Sequence, residues 1–478
     1  MTTTTTAGAA PDVADGRAGS PLTTVAVLCL GGLVAALTQT MVIPIQGELG
    51  LLLRTSEANA SWVVTATLVA GAVAMPIAGR LADLVGKQRV LVASALLLVL
   101  GSLVCALSSA LAPMLAGRLL QGSAMGFVPV GIALMREVTP PRLTATGMAA
   151  MSATLGVGGA IGLPLSAWIV QDFSWHTLFW LCTALAVLVT VAVILLVPHV
   201  SDAVPGRFDV VGALGLALGL AALLVAVSKG NEWGWGHGRT VGLLVAGVVV
   251  LLAWAAYELR VADPLCDLRV TARRPVLLTN LAAIAIGFGM MAQAIVVPRL
   301  LQSPEATGYG LGQSLLGTGL WMAPGGLVMM AFSPVSGRLI RLLGARSTLM
   351  IGATVLGLGY VVAIFLTDAP WQLLVSNCIS SAGIGIGYAA MPTLILESVP
   401  PGEAGSGVGI NGLMRSIGTS VAAAVMAAVL TASTIDLAGH AVPTETAFRI
   451  CFVVGAAAAF AGVALAALVP ARRRTTTG

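Results

Sequence analysis

Fourteen apolar runs, each of roughly 18 to 26 residues and so long enough to cross a bilayer as one helix, follow one another along this chain. They fall near residues 22–46, 58–78, 90–109, 112–135, 144–170, 176–197, 209–228, 240–259, 276–298, 312–335, 348–366, 371–396, 406–431 and 447–470. Inside hydrocarbon each backbone N–H and C=O needs an internal partner, and a lone span meets that need only as a helix. Charged residues make up 9% of the 478 and collect between the runs, whereas a soluble domain carries about 25%. So little charge could not cover a water-soluble surface. The sequence predicts an all-α membrane protein with 14 spans, embedded in the lipid bilayer.

An even number of spans puts both termini on one side. Seventeen of the 24 Lys and Arg residues lie in the termini and the loops on that side, four lie in the opposite loops, and Arg118, Arg415 and Arg449 fall within spans. Basic loops stay inside, so both termini are expected in the cytoplasm, with the chain in the plasma (inner) membrane. The same bias accounts for the net charge of +5 without any nucleic acid as partner. Residues 1–21 read as a disordered cytoplasmic tail and 472–478 as a second, shorter tail. The six cysteines contain no CxxC pair, so neither disulfides nor a metal site is expected. No phosphate-cradling loop ending in Lys-Ser or Lys-Thr occurs, no nucleophile triad is visible, and no cofactor is called for. An enzyme is not expected.

One phrase occurs twice. Pro76-Ile-Ala-Gly79-Arg80-Leu81-Ala-Asp83-Leu84-Val-Gly86 agrees at six positions with Pro334-Val-Ser-Gly337-Arg338-Leu339-Ile-Arg341-Leu342-Leu-Gly344, and 258 residues separate Gly79 from Gly337. Internal repeats of this kind are how many secondary transporters are built. The first copy follows span 2 and the second follows span 10, so two extra spans sit between the halves. The expected division is a six-helix bundle at 22–198, two additional helices within 199–262, and a second six-helix bundle at 263–471. The extra spans carry no charge in their interiors and are expected to face lipid.

Several phrases together resemble the major facilitator superfamily, specifically its fourteen-helix drug–proton antiporter branch. Gly79 through Arg89 is similar to the superfamily's signature between helices 2 and 3. Arg118-Leu-Leu-Gln121-Gly122 resembles the helix 4 motif, and Gly158-Gly-Ala-Ile-Gly162-Leu-Pro164 the antiporter motif of helix 5. Phe208-Asp209-Val-Val-Gly212, Glu258 with Pro264 through Arg269, and Asn411 through Gly418 resemble segments of the fourteen-helix branch. Two departures stand out. Leu37-Thr38-Gln39-Thr40 lacks the acid usual in helix 1, and Ser166-Ala167 stands where Gly-Gly usually follows the helix 5 proline. The resemblance implies a major facilitator fold, two six-helix bundles plus two extra helices, and export of small amphipathic compounds by alternating access, coupled to protons. An uncoupled facilitator, or an exporter of a lipid or cell-envelope precursor, is the alternative.

The residues themselves suggest where such work would be done. Gly79, Arg80, Asp83, Gly86, Lys87 and Arg89 form a candidate gating loop, in which Gly79 and Gly86 permit a tight turn. The resemblance implies that Asp83 holds the cytoplasmic side closed against a helix N-terminus near Gly405–Gly409. Arg118, Gln121, Glu137 and Asp172 are the coupling candidates. Arg118 either belongs to the coupling or substrate apparatus or is satisfied by backbone carbonyls near the outer surface. Thr38, Gln39, Met41, Gln293, Trp321, Asn411 and Arg415 are candidates to line a substrate cavity. Every acid and histidine falls in a tail, in a loop or near a span end. A cavity with buried arginines and no buried acid favours neutral or anionic substrates over cations.

Overall fold

The computed structural model describes residues 20–43, 45–46, 48–199, 205–437 and 440–470. Both tails, at 1–19 and 471–478, lie outside the described residues. Among the described residues fourteen helices are long and apolar enough to cross a membrane: α1 (Pro21–Thr40), α2 (Glu57–Val85), α3 (Lys87–Leu107), α4 (Leu111–Val138), α5 (Leu143–Asp172), α6 (His176–Leu196), α7 (Val210–Trp233), α8 (Gly238–Glu258), α9 (Arg274–Gln302), α10 (Leu315–Leu343), α11 (Ala345–Phe365), α12 (Pro370–Ser398), α13 (Pro401–Ala432) and α14 (Glu445–Leu468). A short antiparallel hairpin, β1 (Thr434–Leu437) and β2 (His440–Pro443), joins α13 to α14 with Thr434 opposite Pro443. It lies outside the helical frame.

Helices α1 to α6 pack on one another, and α9 to α14 do likewise. The first group buries Leu28, Leu91, Phe127 and Met135; the second buries Tyr360, Tyr388, Phe448 and Phe452. The two groups meet along two antiparallel seams, α2 with α13 and α5 with α10. Helices approach closely there because small residues leave their backbones bare. A Cβ on Gly319 would meet Pro164, one on Gly156 would strike Met329, and one on Gly337 would strike Thr146. Helices α4 and α12 are each interrupted midway, by a 3-10 turn at Ala124–Gly126 and by a break at Tyr388–Ala389. A proline follows each interruption, Pro129 and Pro392, and neither can donate to the carbonyl four residues back.

The repeated phrase is not a loop. Helix α2 runs through Gly79 and Asp83 to Val85, and α10 runs through Gly337 to Leu343. The chain turns only at Gly86 (φ 98°) and Gly344 (φ 85°), both in the region that glycine adopts without strain. The expected loop with two turning glycines is thus one helix end, one glycine and the next helix start. Gly79 serves a close approach instead.

The two extra helices also differ from expectation. Helix α8 faces outward, with Val245, Val249 and Leu252 more than half exposed. Helix α7 does not simply face lipid. Its Ala213, Leu216 and Leu220 pack with Ala72 of α2 and with Ile410 and Leu413 of α13, so it covers the seam between the halves. It also continues past residue 228 and encloses Lys229, which the sequence assigned to a loop. The Lys229 ammonium is buried, pairs with Glu232 at 2.8 Å, donates to Ala58 O and Ser61 Oγ, and lies 4.9 Å from the Trp62 ring centroid. The amide of Asn231 reaches Ala424 O of α13 at 2.9 Å. Burying a cation is costly unless its donors are used, and the helix places Lys229 where each finds an acceptor.

Candidate functional site

The end of the molecule that carries Gly86 and Gly344 also carries most of the loop arginines, and is called the basic end here. There α2 and α13 touch backbone to backbone. A Cβ on Gly79 would stand 2.2 Å from Gly405 O, and one on Gly409 would stand 2.5 Å from Met75 O. That approach brings Asp83, one helical turn beyond Gly79, to the start of α13. Its Oδ1 accepts from Gly405 N and its Oδ2 from Ser406 N, both at 2.8 Å. The residue before the α-helix, Glu403, provides no side-chain cap. Asp83 therefore caps a helix of the other half, where free N–H groups and the helix dipole both favour a carboxylate.

The second copy of the phrase meets the other seam differently. Arg341 stands where Asp83 stands, and its Nη1 donates to Thr146 Oγ1 of α5 at 3.3 Å. Only the first copy delivers an anion to a helix start. Around it, Lys87 pairs with Glu137 at 2.8 Å, Arg80 leaves its buried Nε without a partner, and Arg89 is exposed. Glu137 thus belongs to the basic end, while Asp172 is exposed at the opposite end of α5. The structure keeps these two coupling candidates apart from each other and from Arg118.

Arg118 is fully buried. Its Nε donates to Val63 O at 3.2 Å, and its Nη1 donates to Thr38 O at 3.0 Å and to Gln121 Oε1 at 2.8 Å. Gln121 in turn donates to Ser102 Oγ at 2.9 Å. Thr38 O lies in the last turn of α1 and Val63 O in the first part of α2, so a guanidinium on α4 ties two helix ends together. A cation at the C-terminal end of α1 is also favoured by its dipole. Met41 is buried with its Sδ 3.5 Å from Cys182 Sγ. In this conformation Thr38 and Met41 pack inside the first half rather than line an open space. Gly158 and Gly162 let α1 press on α5: Cβ atoms there would strike Ala36 and Thr40, and Thr40 Oγ1 donates to Gly158 O at 3.1 Å. Pro164 packs on Gly319.

Of the remaining cavity candidates, Gln39 is on α1 of the first half and the others are on α9, α10 and α13 of the second. Gln39 and Trp321 are half-buried, and Trp321 donates to Gln313 Oε1 at 3.1 Å. Gln293 is buried with neither end of its amide bonded. Asn411 Nδ2 donates to Asn280 Oδ1 at 3.0 Å. Arg415 lies over the Tyr388 ring, 4.4 Å from its centroid, close to Gly412 and to Met75 of the first half. Among the described residues no carboxylate pairs with Arg118 or Arg415, and none lies midway along a spanning helix. Asn280 and Tyr388 were missed from sequence. Asn280 shares an apolar run with Gln293, a signal that was there to use; Tyr388 became visible only when the break in α12 turned it toward α13.

The Major Facilitator Superfamily profile matches residues 28–423 and 279–478. An uncharacterized MFS-type transporter of Mycobacterium tuberculosis is 29% identical over 429 residues, 86% of this chain and 61% of that protein. This chain therefore spans about three-fifths of that relative's length. The probable actinorhodin transporter of Streptomyces coelicolor is 27% identical over 381 residues, 76% of this chain and 64% of that protein. The putative multidrug resistance protein MdtD of Escherichia coli is 28% identical over 416 residues, 84% and 85% of the two chains. Among solved structures, the human organic anion transporter MFSD10 superposes with a TM-score of 0.66 at 17% identity, covering 94% of this chain and 99% of its own. The proton:xylose symporter XylE gives 0.62 at 13%, covering 92% and 94%. These relatives are transporters rather than enzymes. With fourteen spanning helices, two touching groups of six and a profile match over most of its length, this chain belongs to the Major Facilitator Superfamily.

Proposed function

We propose that the protein exports small amphipathic compounds across the plasma membrane by alternating access, in antiport with protons, and that the basic end and both termini face the cytoplasm. The closed α2–α13 contact at the basic end supports a pathway sealed from that side in this conformation. Relatives named as multidrug and actinorhodin transporters support an export role. The observation that carries the substrate class is Arg415: a guanidinium in the seam, stacked on Tyr388 and near Met75, with no carboxylate beside it. Stacking on an aromatic face contributes about 0.5–2 kcal/mol, and among the described residues no carboxylate takes up the guanidinium's charge. Neutral and anionic amphiphiles suit such a lining, and permanent cations do not. Extrusion from cells of matched uncharged, anionic and quaternary ammonium dyes tests this, and robust export of the quaternary cations would refute it. The absence of a described mid-span acid or histidine favours one alternative, an uncoupled facilitator. A protonophore would abolish uphill extrusion by the antiporter and leave a facilitator's flux intact.

A further inference from the structure

Beside the basic end, two carboxylates of the α7–α8 hairpin converge. Asp209 precedes α7, and its Oδ1 accepts from Gly212 N at 2.9 Å and from the Tyr257 hydroxyl at 3.1 Å. Its other oxygen, Oδ2, is buried and has no donor. Glu258 ends α8 and is 3% exposed. Its Oε2 accepts from Cys266 N at 3.4 Å, while its Oε1 is buried and also has no donor. Both orphan oxygens crowd the bare α-carbon of Gly212: a Cβ there would stand 2.2 Å from Asp209 Oδ2 and 2.4 Å from Glu258 Oε1. Gly212 is the residue whose missing side chain makes room for the pair.

The surroundings supply no compensating charge. Tyr257 and Trp254 of α8, and Cys266 of the following loop, face the pair, and all three are neutral donors. The indole N–H of Trp254 is turned toward the Glu258 carboxylate but stops short of a well-formed hydrogen bond, so Oε1 keeps no full donor. Burial above all, then Glu258, pushes the Cys266 thiol up, so it stays protonated. Asp263, another acid, lies near Gly206. Arg207 and Arg260, each two residues from the pair along the chain, are exposed; Arg80 of α2, whose Nη2 is 3.9 Å from the Cβ position of Gly206, acts on Cys266. Two adjacent acceptor-only oxygens in a buried setting cannot both remain charged at low cost.

We infer that Asp209 and Glu258 hold one proton between Oδ2 and Oε1, forming a protonation site on the α7–α8 hairpin apart from the bundle interiors. The two orphan oxygens stand 2.2 and 2.4 Å from the same point beside Gly212, so one O–H can donate toward the other oxygen and satisfy both. The site is also wired to the gate. Cys266 N donates to Glu258, the neighbouring Leu265 O accepts from Ser406 Oγ at 3.4 Å, and Ser406 N donates to Asp83. Loss of the proton sets two carboxylates against each other, pushes the loop at Leu265–Cys266 outward and loosens the start of α13. Linking the proton to the gate rests on the alternating-access function proposed above; the protonation site itself does not.

Infrared difference spectra of the full-length protein in lipid nanodiscs, titrated from about pH 6 to about pH 9, read the site directly. Wild type is expected to show a protonated carboxyl band that disappears on alkalinisation and is missing from both Glu258→Gln and Asp209→Asn. Its absence from wild type, or its persistence in both variants, overturns the site. In the same titration, spin labels at Val85 and Pro401 report gate closure. The closed-to-open ratio of wild type should fall by up to about tenfold per pH unit, the limit for one proton. Glu258→Gln, whose amide donates to Asp209 at every pH, should stay closed throughout. A band that titrates without any change in the labelled distance refutes the link to the gate and leaves the site standing. Glu258→Ala, which has neither proton nor amide, controls for a folding defect.

Discussion

Asp83→Asn is the most informative single change, because its side chain keeps its shape and loses only its charge and one acceptor. Asp83 accepts two backbone N–H bonds at 2.8 Å from the start of α13, which no N-cap side chain of its own satisfies. A hydrogen bond to a charged group contributes about 1.5–3 kcal/mol, and an anion at a helix N-terminus about 0.3–1 kcal/mol, more when buried. Asparagine can accept one of the two bonds, but its NH2 then opposes the other N–H. The closed state should lose about 2–4 kcal/mol relative to the open one, roughly a 30- to 1,000-fold fall in the closed-to-open ratio. Double electron–electron resonance between spin labels at the exposed Val85 and Pro401 should show a longer distance become the main population. If Asp83→Asn keeps the short distance, the Gly79–Gly405 backbone contact, not the carboxylate, closes this end. Gly79→Ala separates the two causes: its methyl would stand 2.2 Å from the rigid Gly405 carbonyl, so the helices must part whatever the carboxylate does.

Other outcomes follow from the same geometry. Arg118→Met leaves Thr38 O and Gln121 Oε1 without their donor, so thermal unfolding in detergent should show a loss of about 1–3 kcal/mol with the substrate profile unchanged. A changed profile at wild-type stability would instead place Arg118 on the substrate. Arg415→Lys keeps the charge but not the planar stack on Tyr388, and Arg415→Ala removes both. Export of anionic substrates should fall in the order wild type, Lys, Ala, while uncharged substrates change little; equal losses for both classes would count against an anion contact. The Cys266 thiol is buried and its pKa is pushed up, so it should resist maleimide at neutral pH in wild type and react faster in Asp83→Asn, as mass spectrometry would show.

The frame was legible because lipid allows so few solutions. Each apolar run had to become one helix, and the fourteen expected spans overlap the fourteen helices observed. Ends were harder to place. Span 1 was expected to reach residue 46, but α1 stops at Thr40, where Arg118 meets its last turn. Span 7 was expected to end at 228, but α7 carries Lys229 onward because acceptors on α2 and an acid one turn later are waiting for it. A sequence lists such partners without placing them. The repeated phrase pointed to two halves, yet what its first copy touches depends on contact between Gly79 and Gly405, residues 326 positions apart in number.

Composition by itself therefore determined the number of spans and the near-absence of acid from the membrane interior, since both follow from what hydrocarbon excludes, and the repeated phrase pointed to two halves. Tertiary structure alone decided what each buried charge meets. Arg118 has its donors consumed by helix ends, Arg415 rests on an aromatic face with no acid beside it, and Asp209 meets Glu258 over the bare carbon of Gly212. Those differences arise from distances between helices, and no property of one segment encodes them.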